Sequence, residues 1–272
     1  MKVHKKTRRK RRSSSLQTKS KKGDCQMAVK DKQQAKANQD DWHNPVESHG
    51  NARETVRQIV KIIEQSHYLF RGWNNAFEQM LDLILYALNR DEEEYMKLVG
   101  QMDKRAVYKV AEISGLLIKA FCYDYCLWDY LGEVYMQVGS MSKSKAFGQF
   151  FTPFHICEMM AKMQFGDVKQ LIEKAKKENR RITVDEPCVG SGAMLLACKK
   201  VIIQEVGLSG LDYFEFYGTD IDVTCVKMCK IQMLLTNYRY MSSLLLLHVC
   251  QFQEKMASPK KQELLNAESG VK

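Results

Sequence analysis

Ile182-Thr183-Val184-Asp185-Glu186-Pro187-Cys188-Val189-Gly190-Ser191-Gly192-Ala193-Met194-Leu195-Leu196-Ala197 is the stretch that decides the fold. The β-branched run Ile182 to Asp185 predicts a short strand, and Pro187 ends it because proline cannot donate to a ladder. A glycine-bearing loop follows, and Ala193 to Gln204 then reads as a helix that is apolar on most sides, the pattern of a helix packed from several directions. Downstream, Phe214 to Tyr217 predicts a second strand. Val223 to Tyr238 predicts a second helix with Val226, Cys229, Met233 and Leu234 facing inward, and Leu244 to Cys250 a third strand. Strand, helix, strand, helix, strand is the start of an open parallel sheet in an α/β domain, with right-handed crossovers and a ligand site at the carboxyl ends of the strands. The chain holds no internal repeat.

Upstream of Gly148 the texture is helical. Val56, Ile59, Val60 and Ile63 recur at helical spacing, as do Phe77, Met80, Leu81, Ile84, Leu85 and Leu88. Asp91 with Glu94 forms a capping pair ahead of Tyr95, Leu98, Val99 and Met102. The expected organisation is therefore a polar, unstructured segment over 1–50, a helical domain over 53–140, a partial α/β core over 145–252 and a polar tail over 253–272. Residues 1–50 hold almost no periodic apolar positions with which to offset the entropy of ordering.

Composition narrows the function classes. No run of 18 apolar residues exists, so no membrane span is expected, and the N-terminus lacks the apolar core of a secretory signal. Nine cysteines, an odd number in a chain of 272 residues, point to reduced thiols and a cytoplasmic protein. Cys122 with Cys126 and Cys225 with Cys229 lie at i,i+4 spacing, but neither pair has a matching second pair; they read as small buried hydrophobes, and no metal site is assigned. The net charge of +10 is localised: residues 1–22 carry eleven Lys and Arg and no acid, leaving 31 basic against 32 acidic residues elsewhere. Such a segment binds phosphates through counterion release, serves as a nuclear address in a eukaryotic host, or is merely solvated.

Two motifs carry chemistry by position. Glu186 to Gly192 joins the first strand to its helix, where glycines allow a sharp turn and close approach of a ligand to main-chain N–H groups. Leu195 stands where the dinucleotide fingerprint requires glycine or alanine, which disfavours a nicotinamide or flavin cofactor. The acid at Glu186 suits a cationic ligand such as the sulfonium of S-adenosylmethionine. Gly218-Thr219-Asp220-Ile221-Asp222 ends the second strand, where Asp220 is placed to accept hydrogen bonds from ribose hydroxyls and Asp222 to cap the next helix.

A third motif, Phe147-Gly148-Gln149-Phe150-Phe151-Thr152-Pro153, brings a resemblance. Gly148 to Pro153, Glu186 to Gly192 and Gly218 to Asp222 occur in the order found in N6-adenine DNA methyltransferases, in particular the modification subunits of type I restriction systems. Asp129-Tyr130-Leu131-Gly132-Glu133-Val134-Tyr135 is similar to a segment that often closes the helical domain of that family. The resemblance covers residues 53 to 240. It implies a Rossmann-like core that binds S-adenosyl-L-methionine through Gln149, Phe150, Phe151, Thr152, Pro153, Glu186, Gly190, Ser191, Gly192 and Asp220. It also implies DNA as substrate, and a specificity subunit or a completing second chain as partner.

One family element is missing. Methylation of adenine in this family uses an Asn/Asp-Pro-Pro-Phe/Tyr segment whose polar groups hold the amine of a flipped base while the ring stacks on it. The four prolines stand at 45, 153, 187 and 259, none adjacent to another. No catalytic residue is assigned, and the chain alone is expected to be inactive, as a fragment, a truncated product or one part of a split enzyme. The rival readings are a catalytically silent DNA- or partner-binding module, and a methyltransferase acting on RNA or protein.

Overall fold

Apolar side chains at every third or fourth position draw residues 45–141 into a layer of helices. The computed structural model describes residues 45–70, 72–124, 126–141 and 151–237. The basic segment 1–22, the residues Gly148, Gln149 and Phe150, the strand expected at 244–250 and the segment 253–272 lie outside the described residues.

Helix α1, Pro45–Ser66, buries Ala52, Val56, Ile59, Val60 and Ile63 along one stripe. It begins inside the stretch 1–50 expected to lack structure: a proline in the first turn costs no hydrogen bond there, so the helix seeded by the buried stripe extends back to Pro45. Helix α2, Trp73–Asn89, buries Phe77, Met80, Leu81 and Ile84. Helix α3, Glu92–Gln101, starts under Asp91, whose carboxylate accepts from the Glu94 N–H at 3.2 Å as the capping pair predicts. No α3 residue is fully buried; Tyr95, Leu98 and Val99 form a half-buried face at the edge of the layer. Helix α4, Lys104–Ile118, runs into a π-turn at Lys119–Tyr123, and α5, Tyr130–Met141, returns against α1.

Helices α6, Phe154–Phe165, and α7, Val168–Lys177, lead into strand β1, Ile182–Glu186. Helix α8, Ala193–Val206, and a short 3-10 segment at Leu208–Tyr213 carry the chain to strand β2, Phe214–Gly218. Helix α9, Val223–Leu235, follows. The strands pair in parallel, with Ile182 opposite Phe214 and Glu186 opposite Gly218, so both carboxyl ends lie side by side. This is the strand-helix-strand crossover expected from the sequence, in a mostly helical structure whose described sheet has two strands.

Helix α8 is buried nearly all round, including two lysines. Lys200 pairs with Glu158 of α6, and its Nζ lies 5.3 Å from the centre of the Phe154 ring. Lys199 donates to Thr236 Oγ1 at 2.9 Å, just beyond α9. Helix α9 packs on α2, α5 and α8, which gives the helical layer and the sheet region shared contacts.

The inward face of α9 differs from the one expected. Cys225, Met228, Cys229, Gln232 and Leu235 are buried, whereas Val226 is exposed and Met233 and Leu234 are half-buried. Apolar residues surround most of α9, so periodicity does not single out a face. Polar partners waiting for Gln232 do.

Among the described residues no helix is long and apolar enough to cross a membrane.

Candidate functional site

The parallel register sets the site. Beyond the formal strand ends the pairing continues, with Thr219 N–H donating to Glu186 O at 3.0 Å and Val189 N–H donating to Thr219 O at 2.9 Å. The glycine loop after β1 is thereby tied to the tip of β2. Beneath it Val189, Leu195 and Cys229 form a small apolar cluster with Val184, Phe216 and Met233.

Gly190 and Gly192 both adopt left-handed backbone, with φ of +54° and +98°. Neither site accommodates a side chain. A Cβ at Gly190 would meet the Phe151 ring at 3.0 Å, and one at Gly192 would meet Cys229 Sγ at 3.0 Å. Phe151 is therefore brought against the loop, half-buried, its ring centre 5.6 Å from that of Tyr135. Thr152 and Pro153 are exposed where the chain enters α6.

Asp220 is the junction of the two strand ends. Its Oδ2 accepts from Gly190 N–H at 2.8 Å and its Oδ1 from Asp222 N–H at 2.9 Å. Each oxygen retains a second lone pair for a ligand hydroxyl. Glu186 Oε1 accepts from Cys188 N–H at 3.2 Å. Asp222 caps α9 as expected, accepting from Thr224 N–H at 2.8 Å. Between them, Ile221 is completely exposed.

This donor and acceptor set discriminates between ligands. A phosphate would face two carboxylates and find the Gly190 N–H already occupied by Asp220, the reverse of a phosphate-binding helix start. A ligand with a vicinal diol, a positive centre and a flat apolar ring would fit: Asp220 has lone pairs left for hydroxyls, Glu186 supplies negative charge, and Ile221 presents apolar surface. S-adenosylmethionine has those three features. Among the described residues no group of three or more His, Cys, Asp or Glu side chains is arranged to hold a metal ion.

Ser191 belongs to a different network. It is buried, and its hydroxyl donates to Asp129 Oδ2 at 2.6 Å. Asp129 Oδ1 in turn accepts from Gln232 Nε2 at 2.8 Å and from Gly132 N–H at 3.1 Å. Gln232 Nε2 also donates to Ser191 O at 2.8 Å, while its Oε1 accepts from Leu131 N–H at 3.1 Å. Burial pushes the Asp129 carboxyl above the usual range, against the opposing pull of its three hydrogen bonds. No sequence motif assigns a role to Asp129 or Gln232. The signal for Gln232 is a lone amide in the apolar run Ile231 to Leu235, and that for Asp129 is its place in the segment 129–135.

Residues 128–262 match the sequence profile of the N-6 DNA methylase family. Through these residues the chain belongs to that family. Over 194 residues it is also 31% identical to the type I restriction enzyme MpnII methylase subunit of Mycoplasma pneumoniae, an alignment covering 68% of this chain. The chain spans about a third of that curated relative, 31% of its length. No solved structure gives a significant match. The N-6 DNA methylase match begins at Trp128, so it takes in Asp129 and the network behind the glycine loop as well as the loop itself.

Proposed function

We propose that the paired strand ends form the cofactor half of a Rossmann-like methyltransferase core, binding S-adenosylmethionine for methylation of adenine N6 in DNA. The observation that carries this reading is the pair of carboxylates, Glu186 and Asp220, on adjacent parallel strand tips, joined by a loop whose Gly190 N–H is held by Asp220. Asp220 orients the ribose, Glu186 faces the amino-acid and sulfonium end, and Ile221 lies against the adenine. Phe151, Thr152 and Pro153 wall the methionine end, with Gly190, Ser191 and Gly192 contributing main chain; the resemblance extends this role to Gln149 and Phe150, which lie outside the described residues. When bound, the cofactor supplies an electrophilic methyl group; this chain binds and orients it and shields it from water.

The acceptor side of the reaction needs groups that hold a flipped adenine. No Asn/Asp-Pro-Pro-aromatic segment occurs in residues 1–272, so these residues alone are proposed not to transfer methyl groups, with DNA and a specificity or completing subunit as partners. Photo-crosslinking of methyl-labelled S-adenosylmethionine to the purified chain tests the site. Label is expected on peptides containing Phe151 to Pro153 or Glu186 to Gly192. Its absence, or its appearance only on α1 to α4, contradicts the assignment. Transfer of label to adenine-containing DNA by the chain alone would contradict the proposed inactivity.

The basic segment favours a second reading, a DNA-binding module. Eleven Lys and Arg within residues 1–22 can neutralise phosphates without any role for the cofactor site.

A further inference from the structure

The glycine loop is held by a second, buried carboxylate as well as by Asp220. Asp129 is 3% exposed, Ser191 1% and Gln232 0%, and these three residues come from three separate parts of the chain. Asp129 ends the segment before α5, Ser191 is in the loop after β1, and Gln232 lies in α9. Every hydrogen bond described at the Asp129 carboxylate comes from a neutral donor: the Ser191 hydroxyl, the Gln232 amide and the Gly132 N–H. Such an arrangement is costly to bury and contributes specificity of geometry, because each donor loses its acceptor if the carboxylate is removed.

Gly132 packs directly against this carboxylate. A Cβ at Gly132 would stand 2.1 Å from Asp129 Oδ2 and 2.5 Å from Ser191 Oγ. Asp220 grips the neighbouring Gly190 N–H at 2.8 Å. Two carboxylates thus clamp consecutive loop residues: Asp220 holds the main chain of Gly190, and Asp129 holds the side chain of Ser191. The Ser191 hydroxyl is committed inward, and Gln232 fixes the Ser191 carbonyl at 2.8 Å through the same amide group that binds Asp129.

We propose that Asp129 is a positioning residue that sets the shape of the glycine loop through Ser191, making the segment before α5 a structural part of the cofactor site. The link to the cofactor rests on reading that loop as the S-adenosylmethionine site; the link from Asp129 to the loop does not. A residue that only capped α5 would leave the loop indifferent to its replacement by asparagine, which caps helices as well as aspartate does. Asparagine keeps an oxygen for Gly132 and Gln232 but presents an amide to Ser191 Oγ, so the hydroxyl must turn from donor to acceptor and the contact is weakened.

Amide hydrogen exchange on the full 272-residue chain, read peptide by peptide, separates the two roles. In Asp129→Asn, exchange in peptides covering 188–193 is expected to rise about tenfold while that in 130–141 stays at the parent rate, reflecting the weakened hydrogen bond to Ser191. Ser191→Ala, which removes the contact outright, is expected to give the same loop signature, and the double variant should fall short of the sum of the two single changes, because both act on one contact. Unchanged exchange over 188–193, or equal acceleration in 130–141, overturns the positioning role. Titration of the same proteins with S-adenosylmethionine then tests the link to the cofactor. About tenfold weaker binding in Asp129→Asn supports it, and equal binding by parent and variant overturns it. If the parent binds no cofactor while the exchange contrast holds, the site reading fails and the positioning role stands.

Discussion

At the scale of single residues, the buried cation of α8 has a testable sign. Burial lowers the Lys199 pKa to about 8, well under its ordinary value of 10.5. The folded state therefore holds fewer protons at this site than the unfolded state between those two values, and its share of stability rises with pH across that window. Below pH 8 the buried charge is a net cost of a few kcal/mol, since each tenfold loss of proton affinity on folding corresponds to about 1.4 kcal/mol. Thr236 Oγ1 can still donate to Met233 O at 3.0 Å without the lysine, so Lys199→Met leaves no stranded donor. Lys199→Met is expected to be more stable than the parent at pH 7, with the difference shrinking as pH rises from 8 to 10.5. Thiols act in the opposite direction. Burial raises Cys122, Cys198, Cys225 and Cys229 to about 12 and Cys157 to about 11, so their contribution is present below pH 9 and lost on titration above it. Urea melts of parent and variant across pH 7 to 10 isolate Lys199 by difference, and a pH-independent difference would count against the assignment. Asp220 and Asp222 are legible in the sequence because a carboxylate at a strand tip and one before a helix have different neighbours by construction. Gln232 and Asp129 are not, because their roles depend on partners about a hundred residues away in sequence.

Among elements, the strand, loop and helix units are legible where local chemistry punctuates them. Pro187 ends β1, Asp222 starts α9, and Asp91 starts α3, each by an interaction within three residues. The inward face of α9 is not legible, since an element apolar on nearly all sides lacks the contrast that periodicity needs. Removing the cap, Asp222→Ala, is expected to cost about 1 kcal/mol and lower the melting temperature by roughly 2–4 °C. Differential scanning calorimetry measures it. Because Asp222 N–H is also bound by Asp220, a loss several times larger would mean that the cap and the strand tip fail together.

For the whole molecule, charge and fold are separable. The excess of basic residues sits in 1–22, while the parallel strand ends present acids. Affinity of the chain for DNA is expected to fall, and its dependence on salt to flatten, when residues 1–22 are deleted, since the slope of log affinity against log salt counts neutralised phosphates. Fluorescence anisotropy over 50 to about 200 mM salt reads both quantities. An unchanged slope would move the DNA contacts to residues beyond 22. Cofactor binding should be untouched by that deletion, because the described site lies between β1 and β2. Binding of S-adenosylmethionine by these strand ends is tested by calorimetric titration of the full chain beside Asp220→Ala. Saturable one-to-one binding that weakens about tenfold or more in the variant is the predicted result, as expected for loss of a carboxylate acceptor to a ligand hydroxyl. Binding of equal strength in both proteins, or none in the parent, would contradict it.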